Sequence, residues 1–254
     1  MLDLFQARNR SRSSDASGAP GLGVNLFVLP RDEAFAFLAF CYANYASGSV
    51  VGFSDAGDPL VPLGTSLLDV RDAAGCYDIV RGAGPIEQRS NLREVWRDNL
   101  VSIAIGCSLA LDEILAAAGL ATRHAALGLR VPVYATRLAT RAVAPFSPRL
   151  HVSMRIVALS DVERLVAISR AYPALHGAPI HVGDPAALGI DDLTAPLLGD
   201  ALAPGKGEVC AFWGCGVTLR AGLAAAAMPL WMANSEGHLA RTDLTADDFR
   251  AVSA

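Results

Sequence analysis

Two kinds of segment in this chain carry residues that could do chemistry. The first is HGAPIHVGDP at 176–185, which packs two histidines and an aspartate into one short stretch. A brief strand separates His176 from His181, and a Gly-Asp-Pro turn then presents Asp184. An imidazole three residues from a carboxylate at a strand end is a candidate proton-transfer pair. His238, beside Glu236 in SEGHLARTD, is a candidate second titrating group, and His176 completes the catalytic set. The second kind of segment is a strand, a Gly-Cys turn and a helix, and it occurs twice. Gly106, Cys107 and Ser108 make one turn, and Gly214, Cys215 and then Thr218 make the other. Backbone N–H groups left open at a helix start attract anions, so both turns are expected to bind a substrate carboxylate. Arg155 and Arg123 are candidate carboxylate clamps, because a guanidinium fits a carboxylate through two parallel bonds. A cysteine at a helix start either acts as an activated thiolate or serves as a small apolar filler. His124, just after Arg123, and His151, at the start of an apolar strand, rank lower.

Other chemistries lack their motifs. The five cysteines at 41, 76, 107, 210 and 215 form no CxxC pair, and no HxxxH, HxH or HExxH is present. Neither a metal nor a cofactor is expected. GAPGLGVN precedes the first strand instead of following one, so it is no dinucleotide loop, and GxSxG is absent. The single lysine, Lys206, sits outside any phosphate-binding loop.

The elements that must position these residues follow from hydrophobic patterning. VNLFVLP (24–30) reads as a strand and 30–44 as a helix with acids in its first turn. Residues 45–91 show no sustained period and read as loops with one or two short strands, and 91–99 as a helical turn. LVSIAIG (100–106) reads as a buried strand and 108–120 as a helix. Strands are expected at 131–138, 151–159, 178–185 and 208–214, with helices at 160–173 and 217–228. Segments 101–120 and 209–228 align at a constant offset of 108. That echo is expected to make 101–106 and 209–214 near-neighbouring parallel strands whose helix starts share one sheet edge. Three parts are expected: a mobile arm at 1–23, a core from 24–122 and 206–254, and a smaller α+β subdomain at 123–205.

Composition narrows the class. The chain has 254 residues, 52% hydrophobic and 18% charged, which suits a folded globule and excludes disorder. The net charge is −4 with no basic run, so nucleic acid is not an expected partner. No apolar run reaches a membrane span, and the N-terminus lacks a secretory apolar core. A cytoplasmic protein is expected, acting on a small-molecule carboxylate, with homo-oligomerisation left open.

Taken in order, VWRDNLVSIAIGCS, RHAALGLRVPVY, VSMRIV, YPALHGAPIHVGDP, VCAFWGCGVT and EGHLARTDL resemble the hydro-lyase family related to D-glutamate cyclase. The resemblance runs from about 24 to 244 and implies an α/β fold, with a Rossmann-like three-layer α/β/α core and a smaller α+β part. It also implies a lyase that removes water, with D-glutamate to 5-oxo-D-proline as the reference reaction. The chain departs from the family pattern at Asp112, where glutamate is usual, and at Ala126 and Arg130. It departs again at Asn234, which joins the substrate-binding set, and at Glu236, where the family has proline. These departures keep two alternatives open: a diverged enzyme with another substrate and altered chemistry, and a non-catalytic small-anion-binding protein.

Overall fold

The computed structural model describes residues 21–251. The first half runs β1 (Gly23–Pro30), α1 (Arg31–Ala43), β2 (Val50–Phe53), β3 (Leu60–Leu63), β4 (Ser66–Asp69), β5 (Tyr77–Val80), β6 (Glu87–Arg89), β7 (Leu100–Gly106) and α2 (Ser108–Ala117). The second runs α3 (Arg123–Ala126), β8 (Val133–Ala139), β9 (Arg149–Ala158), α4 (Val162–Arg170), β10 (His181–Val182), β11 (Glu208–Gly214), α5 (Val217–Ala225), β12 (Trp231–Asn234) and β13 (Ala240–Arg241). One sheet has the order β2-β7-β1-β12-β5-β6, with β13 also beside β1, and a second has the order β10-β11-β9-β8. β3 and β4 form a separate hairpin.

The pairings of both sheets are antiparallel. This corrects the expectation of a Rossmann-like, three-layer parallel core. The mixed α/β class stands, but 101–106 and 209–214 lie in different sheets. The physical reason is visible in β7, whose seven residues are all buried. Val101, Ile103 and Ile105 face one apolar cluster with Phe27, Phe37 and Phe40, while Leu100 and Ala104 face another. A strand covered on both faces reads as a continuous apolar run whichever way its neighbours point.

Helices α1 and α5 supply the cluster on the outer face of the first sheet, through Phe37, Phe40, Leu219 and Leu223. Between the two sheets lie Leu111, Ile114 and Leu115 of α2 and Leu165 of α4, packed with Leu26, Ala211 and Trp213. The far face of the second sheet buries Met154, Ile156 and Phe212 under Leu188, Ile190 and Leu202 of the long connection to β11. Each such side chain contributes roughly 1.5–3 kcal/mol when fully buried.

The sequence echo extends to a whole structural repeat. β1–α1–β2 followed by β7–α2 matches β9–α4–β10 followed by β11–α5, and the run β2-β7-β1 of the first sheet corresponds to β10-β11-β9 of the second. Val24 pairs with Gly106, and Val152, 128 positions after Val24, pairs with Gly214, 108 after Gly106. The two halves then grip each other reciprocally. A Cβ on Gly106 would lie 1.7 Å from the Ala174 carbonyl oxygen, and one on Gly214 would lie 2.1 Å from that of Ala46. Ala46 and Ala174 are themselves 128 positions apart. Contact i-to-j matched by j-to-i is the pattern of a two-fold interface, here within one chain.

Several boundaries move. Strand 208–214, grouped with the core by the expected boundary at 206, pairs with β9 of the second sheet. The stretch 45–91 holds five short strands where one or two were expected, because Gly, Asp and Pro break the apolar period within each. The expected strand 178–185 shrinks to β10. Residues 1–20 of the expected arm lie outside the described residues, whereas Leu22 is buried and donates its N–H to the Leu244 carbonyl.

Candidate active site

A cavity of about 680 Å³ opens where the two repeats meet. Both Gly-Cys turns reach it: Cys107 and Ser108 from the first, Cys215 and Gly216 from the second. Neither α2 nor α5 has a side-chain N-cap hydrogen bond; backbone at the start of each helix, at Leu109 and Val217, hydrogen-bonds the thiols of Cys107 and Cys215. The shared cleft expected from the echo therefore forms between two sheets. Equivalent positions of the two repeats line it: Asn25 with Ser153, Cys107 with Cys215, Ser108 with Gly216, and Asp112 with Arg220. The first-half member of that last pair is an acid and the second-half member a base, each held in an ion pair, with Arg155 and with Asp78 respectively.

The acidic pole is built around Asp112, one helical turn after Ser108 and hence on the same face of α2. Arg155, fully buried, donates Nε to Asp112 Oδ1 at 2.7 Å and Nη2 to Oδ2 at 2.8 Å. It also donates to the Ser108 carbonyl at 2.6 Å and to Ser153 Oγ at 3.2 Å, and it stacks over Trp213. Ser153 Oγ in turn lies 3.2 Å from Ser108 Oγ. The helix α3 brings His124 against this cluster, with Nε2 at 3.6 Å from Asp112 Oδ1. His124 lines the cavity and is 5% exposed, and its buried Nδ1 has no hydrogen-bond partner among the described residues. Burial holds its imidazole below the ordinary 6.5; the Asp112 carboxylate opposes that shift and Arg155 reinforces it. A neutral imidazole beside a carboxylate, facing a cavity, is equipped to take a proton.

At the basic pole, Arg220 is 7% exposed and lies over the Trp231 ring. Its Nη1 donates to the Asn234 carbonyl at 2.7 Å and its Nη2 to the fully buried carboxylate of Asp78. Ser235 Oγ donates to Asp78 Oδ1 at 2.6 Å, and Gln88 Nε2 donates to the same oxygen at 3.1 Å. Glu236 Oε1 stands 3.9 Å from Arg220 Nε, and Glu236 and His238 both line the cavity.

The residues singled out from the sequence fall into three groups. Cys107, Ser108, Cys215, His176, Asn234 and His238 line the cavity. Gly106, Gly214, Thr218 and Arg155 lie behind it. The two glycines are required by close backbone approach, and Thr218 Oγ1 accepts from the His151 N–H at 2.9 Å. Arg155 has its guanidinium occupied by Asp112, Ser108 and Ser153, so it braces the wall and is not placed to clamp a substrate. Arg123, His181 and Asp184 are elsewhere. Arg123 pairs with Glu208 at 2.7 Å. His181 Nε2 meets the backbone oxygen of Asp184 at 2.9 Å, while the Asp184 carboxylate caps the next turn through the Ala186 N–H. The two side chains do not form the expected pair, because Asp-Pro starts a 3-10 turn that turns the carboxylate back on its own backbone.

His176 reaches the cavity wall in a structural role. Its Nδ1 lies 2.9 Å from the Ala46 carbonyl, and burial pushes its pKa down to about 4. The thiols of Cys107 and Cys215 are raised by burial, the latter to about 12, so they remain protonated fillers. Asp112, His124, Arg220, Asn25 and Ser153 were not among the expected site residues. A signal was present: Asp112 and Arg220 are charges facing inward on helices otherwise rich in alanine and leucine.

The model of the D-glutamate cyclase family matches residues 101–243. A relative from Paraburkholderia phymatum, named "putative hydro-lyase", is 40% identical over 95% of this chain and 96% of its own. Relatives of the same description from Burkholderia cenocepacia and a Jannaschia species are each 40% identical, covering 89% and 90% of this chain and 88% and 86% of theirs. Among solved structures, a nitrogen repressor-like protein from Methanococcus jannaschii aligns at a TM-score of 0.40 and 10% identity, over 94% of this chain and 96% of that one. With the family match spanning more than half of the chain and relatives aligned over nearly all of it, this protein belongs to the D-glutamate cyclase family.

Proposed function

We propose that the cavity between the repeats dehydrates a small amino or hydroxy acid, with cyclisation of D-glutamate to 5-oxo-D-proline as the reference reaction. The observation that carries this reading is His124: it lines the cavity, sits against Asp112, and has a pKa lowered by burial. In the reference reaction the amine nitrogen attacks the distal carboxyl carbon. A C–N bond forms, a C–O bond breaks, and the oxygen leaves as water. Two protons must pass from the nitrogen to the departing oxygen, one before attack and one as the amide forms. Neutral His124 accepts each in turn, and the imidazolium, steadied by Asp112, delivers it to that oxygen, which leaves as water. The starts of α2 and α5 and the Ser108 hydroxyl favour the oxyanion that develops on the attacked carboxyl group. Arg220 provides a cation for the carboxylate that does not react.

The test is turnover by mass spectrometry, following loss of one water from D-glutamate, L-glutamate and related hydroxy acids. His124→Asn is expected to lower kcat by roughly 10²–10⁴ with a melting temperature near that of the parent. Unchanged turnover in the folded variant refutes the assignment of the proton to His124.

A further inference from the structure

Helix α1 packs on the first sheet through Ala34, Phe37, Phe40 and Cys41. Its other face is also apolar. Phe35 is 81% exposed and Tyr42 84% exposed, Leu38 between them is half-buried, and Tyr45, just past the helix end, is 46% exposed. One apolar stripe is enough to seat a helix on its own core, and neighbouring large apolar side chains left in water mark an interaction surface. Positions 35, 38, 42 and 45 are spaced by three, four and three residues, the seam along which one helix packs on another. None of 31–45 lines the cavity, so the stripe is independent of the site. The seam reads nearly alike in both directions: about Leu38, Phe35 exchanges with Tyr42 and Arg31 with Tyr45. Its two ends carry opposite charge. Asp32 is exposed in the first turn. At the other end the exposed Arg141 is fixed by Asn44, its N–H donating to Asn44 Oδ1 at 2.8 Å and its carbonyl accepting from Asn44 Nδ2 at 2.9 Å.

We propose that this face of α1 pairs with α1 of a second copy of the chain, antiparallel, across a two-fold axis that passes beside Leu38. A surface that maps onto itself when turned end for end, with opposite charges at its ends, is self-complementary in the way a two-fold interface requires. Phe35 of each copy meets Tyr42 of the other, Leu38 meets Leu38, and Asp32 of each copy faces Arg141 of the other. The aromatic contacts supply the buried area and the two rim ion pairs fix the antiparallel direction. Six aromatic side chains leave water, each covering about 150–250 Å² when fully buried. Discounted for the cover they already have, they and Leu38 bring the total to on the order of 1,000 Å², the size at which specific interfaces begin.

Size-exclusion chromatography with light scattering, on the full chain loaded at about 1–100 μM, tests the pairing, since an interface of this size binds at micromolar concentration or tighter. The parent is expected to reach twice the 26.5 kDa of the single chain. Phe35→Glu and Tyr42→Glu each set two carboxylates against the opposing aromatic rings and are expected to weaken the dimer at least tenfold. Both positions are exposed, and a parental circular-dichroism spectrum establishes that each variant is folded. Leu38→Cys places a thiol on the axis and is expected to give a covalent dimer on mild oxidation, read on a non-reducing gel beside the parent with its native cysteines. A parent that stays monomeric throughout the range leaves the face to some other occupant and overturns the proposal. A dimer that both glutamate variants leave as tight as the parent's overturns it as well, and so does a Leu38→Cys chain that cross-links no more than the parent.

Discussion

Lowering the pH should destabilise this protein through His176 in particular. The residue is 4% exposed and adopts a left-handed backbone at φ 75°, with Nδ1 bonded to the Ala46 carbonyl of the other repeat. Burial pulls its folded pKa to about 4, against 6.5 for an exposed imidazole. Because the folded value is depressed, the unfolded chain binds the proton first. Stability from the neutral imidazole is intact above about pH 6.5, falls as pH drops below that, and stops falling below about pH 4. Between pH 7 and pH 5 the linkage amounts to about 2 kcal/mol, taking about 1.4 kcal/mol for each pH unit in which only the unfolded state is protonated. The control is His176→Asn. Asparagine tolerates the left-handed region and its amide can donate to the Ala46 oxygen, but it does not titrate. Urea unfolding followed by the fluorescence of buried Trp213 and Trp231 gives the free energy at both pH values. The parent is expected to lose about 2 kcal/mol more than His176→Asn on going from pH 7 to pH 5. Equal losses in the two proteins would refute the argument, since His124 and His151, also depressed by burial, are common to both.

Two further outcomes follow from the geometry. Gly106→Ala and Gly214→Ala should each lower stability by about 3 kcal/mol, because either methyl group runs into a backbone carbonyl of the opposite repeat; a shift in urea midpoint at one glycine and none at the other would break the claimed reciprocity. His181→Ala should leave turnover at the parental level and lower stability by about 0.5–1 kcal/mol, since the ring stacks on Phe212 away from the cavity. A hundredfold fall in kcat would return His181 to the catalytic set.

Much of the local structure was legible because apolar runs act over a few positions. The helices at 31–43, 108–117, 162–170 and 217–225 and the strands at 100–106 and 208–214 lie where periodicity puts them. Strand direction was not legible, because β7 and β11 are covered on both faces and carry no alternation to reveal their neighbours. The site was half legible. The Gly-Cys turns were found through a repeat in the residues, and they do reach one cavity. The acid–base residues were sought where polar side chains are dense, at 176–185, but density in sequence there reflects turns that satisfy their own backbone. Asp112 and His124 are twelve positions apart and meet only because the loop after α2 folds α3 back onto it. Arg220 and Asp78 are separated by 142 positions, a distance no local pattern spans.

The place of β1 in the first sheet bears on how this chain is made. β1 pairs with β7 on one side and with β12 on the other, and its Leu26 N–H is bonded to the side chain of Asn234, 208 positions later. A polypeptide emerging from the ribosome gives β1 its partner β7 once Gly106 is made, but leaves its other edge unpaired until β12 at Trp231–Asn234. Pairing over such separations is slow, since the loop must close before the contacts reward it. The second repeat comes later: β9 has to wait for β11, which ends at Gly214, whereas β1 and β7 are both complete at Gly106. The wall bearing Asn25 and Phe27 is therefore written near the beginning of the chain and finished only when β12 arrives.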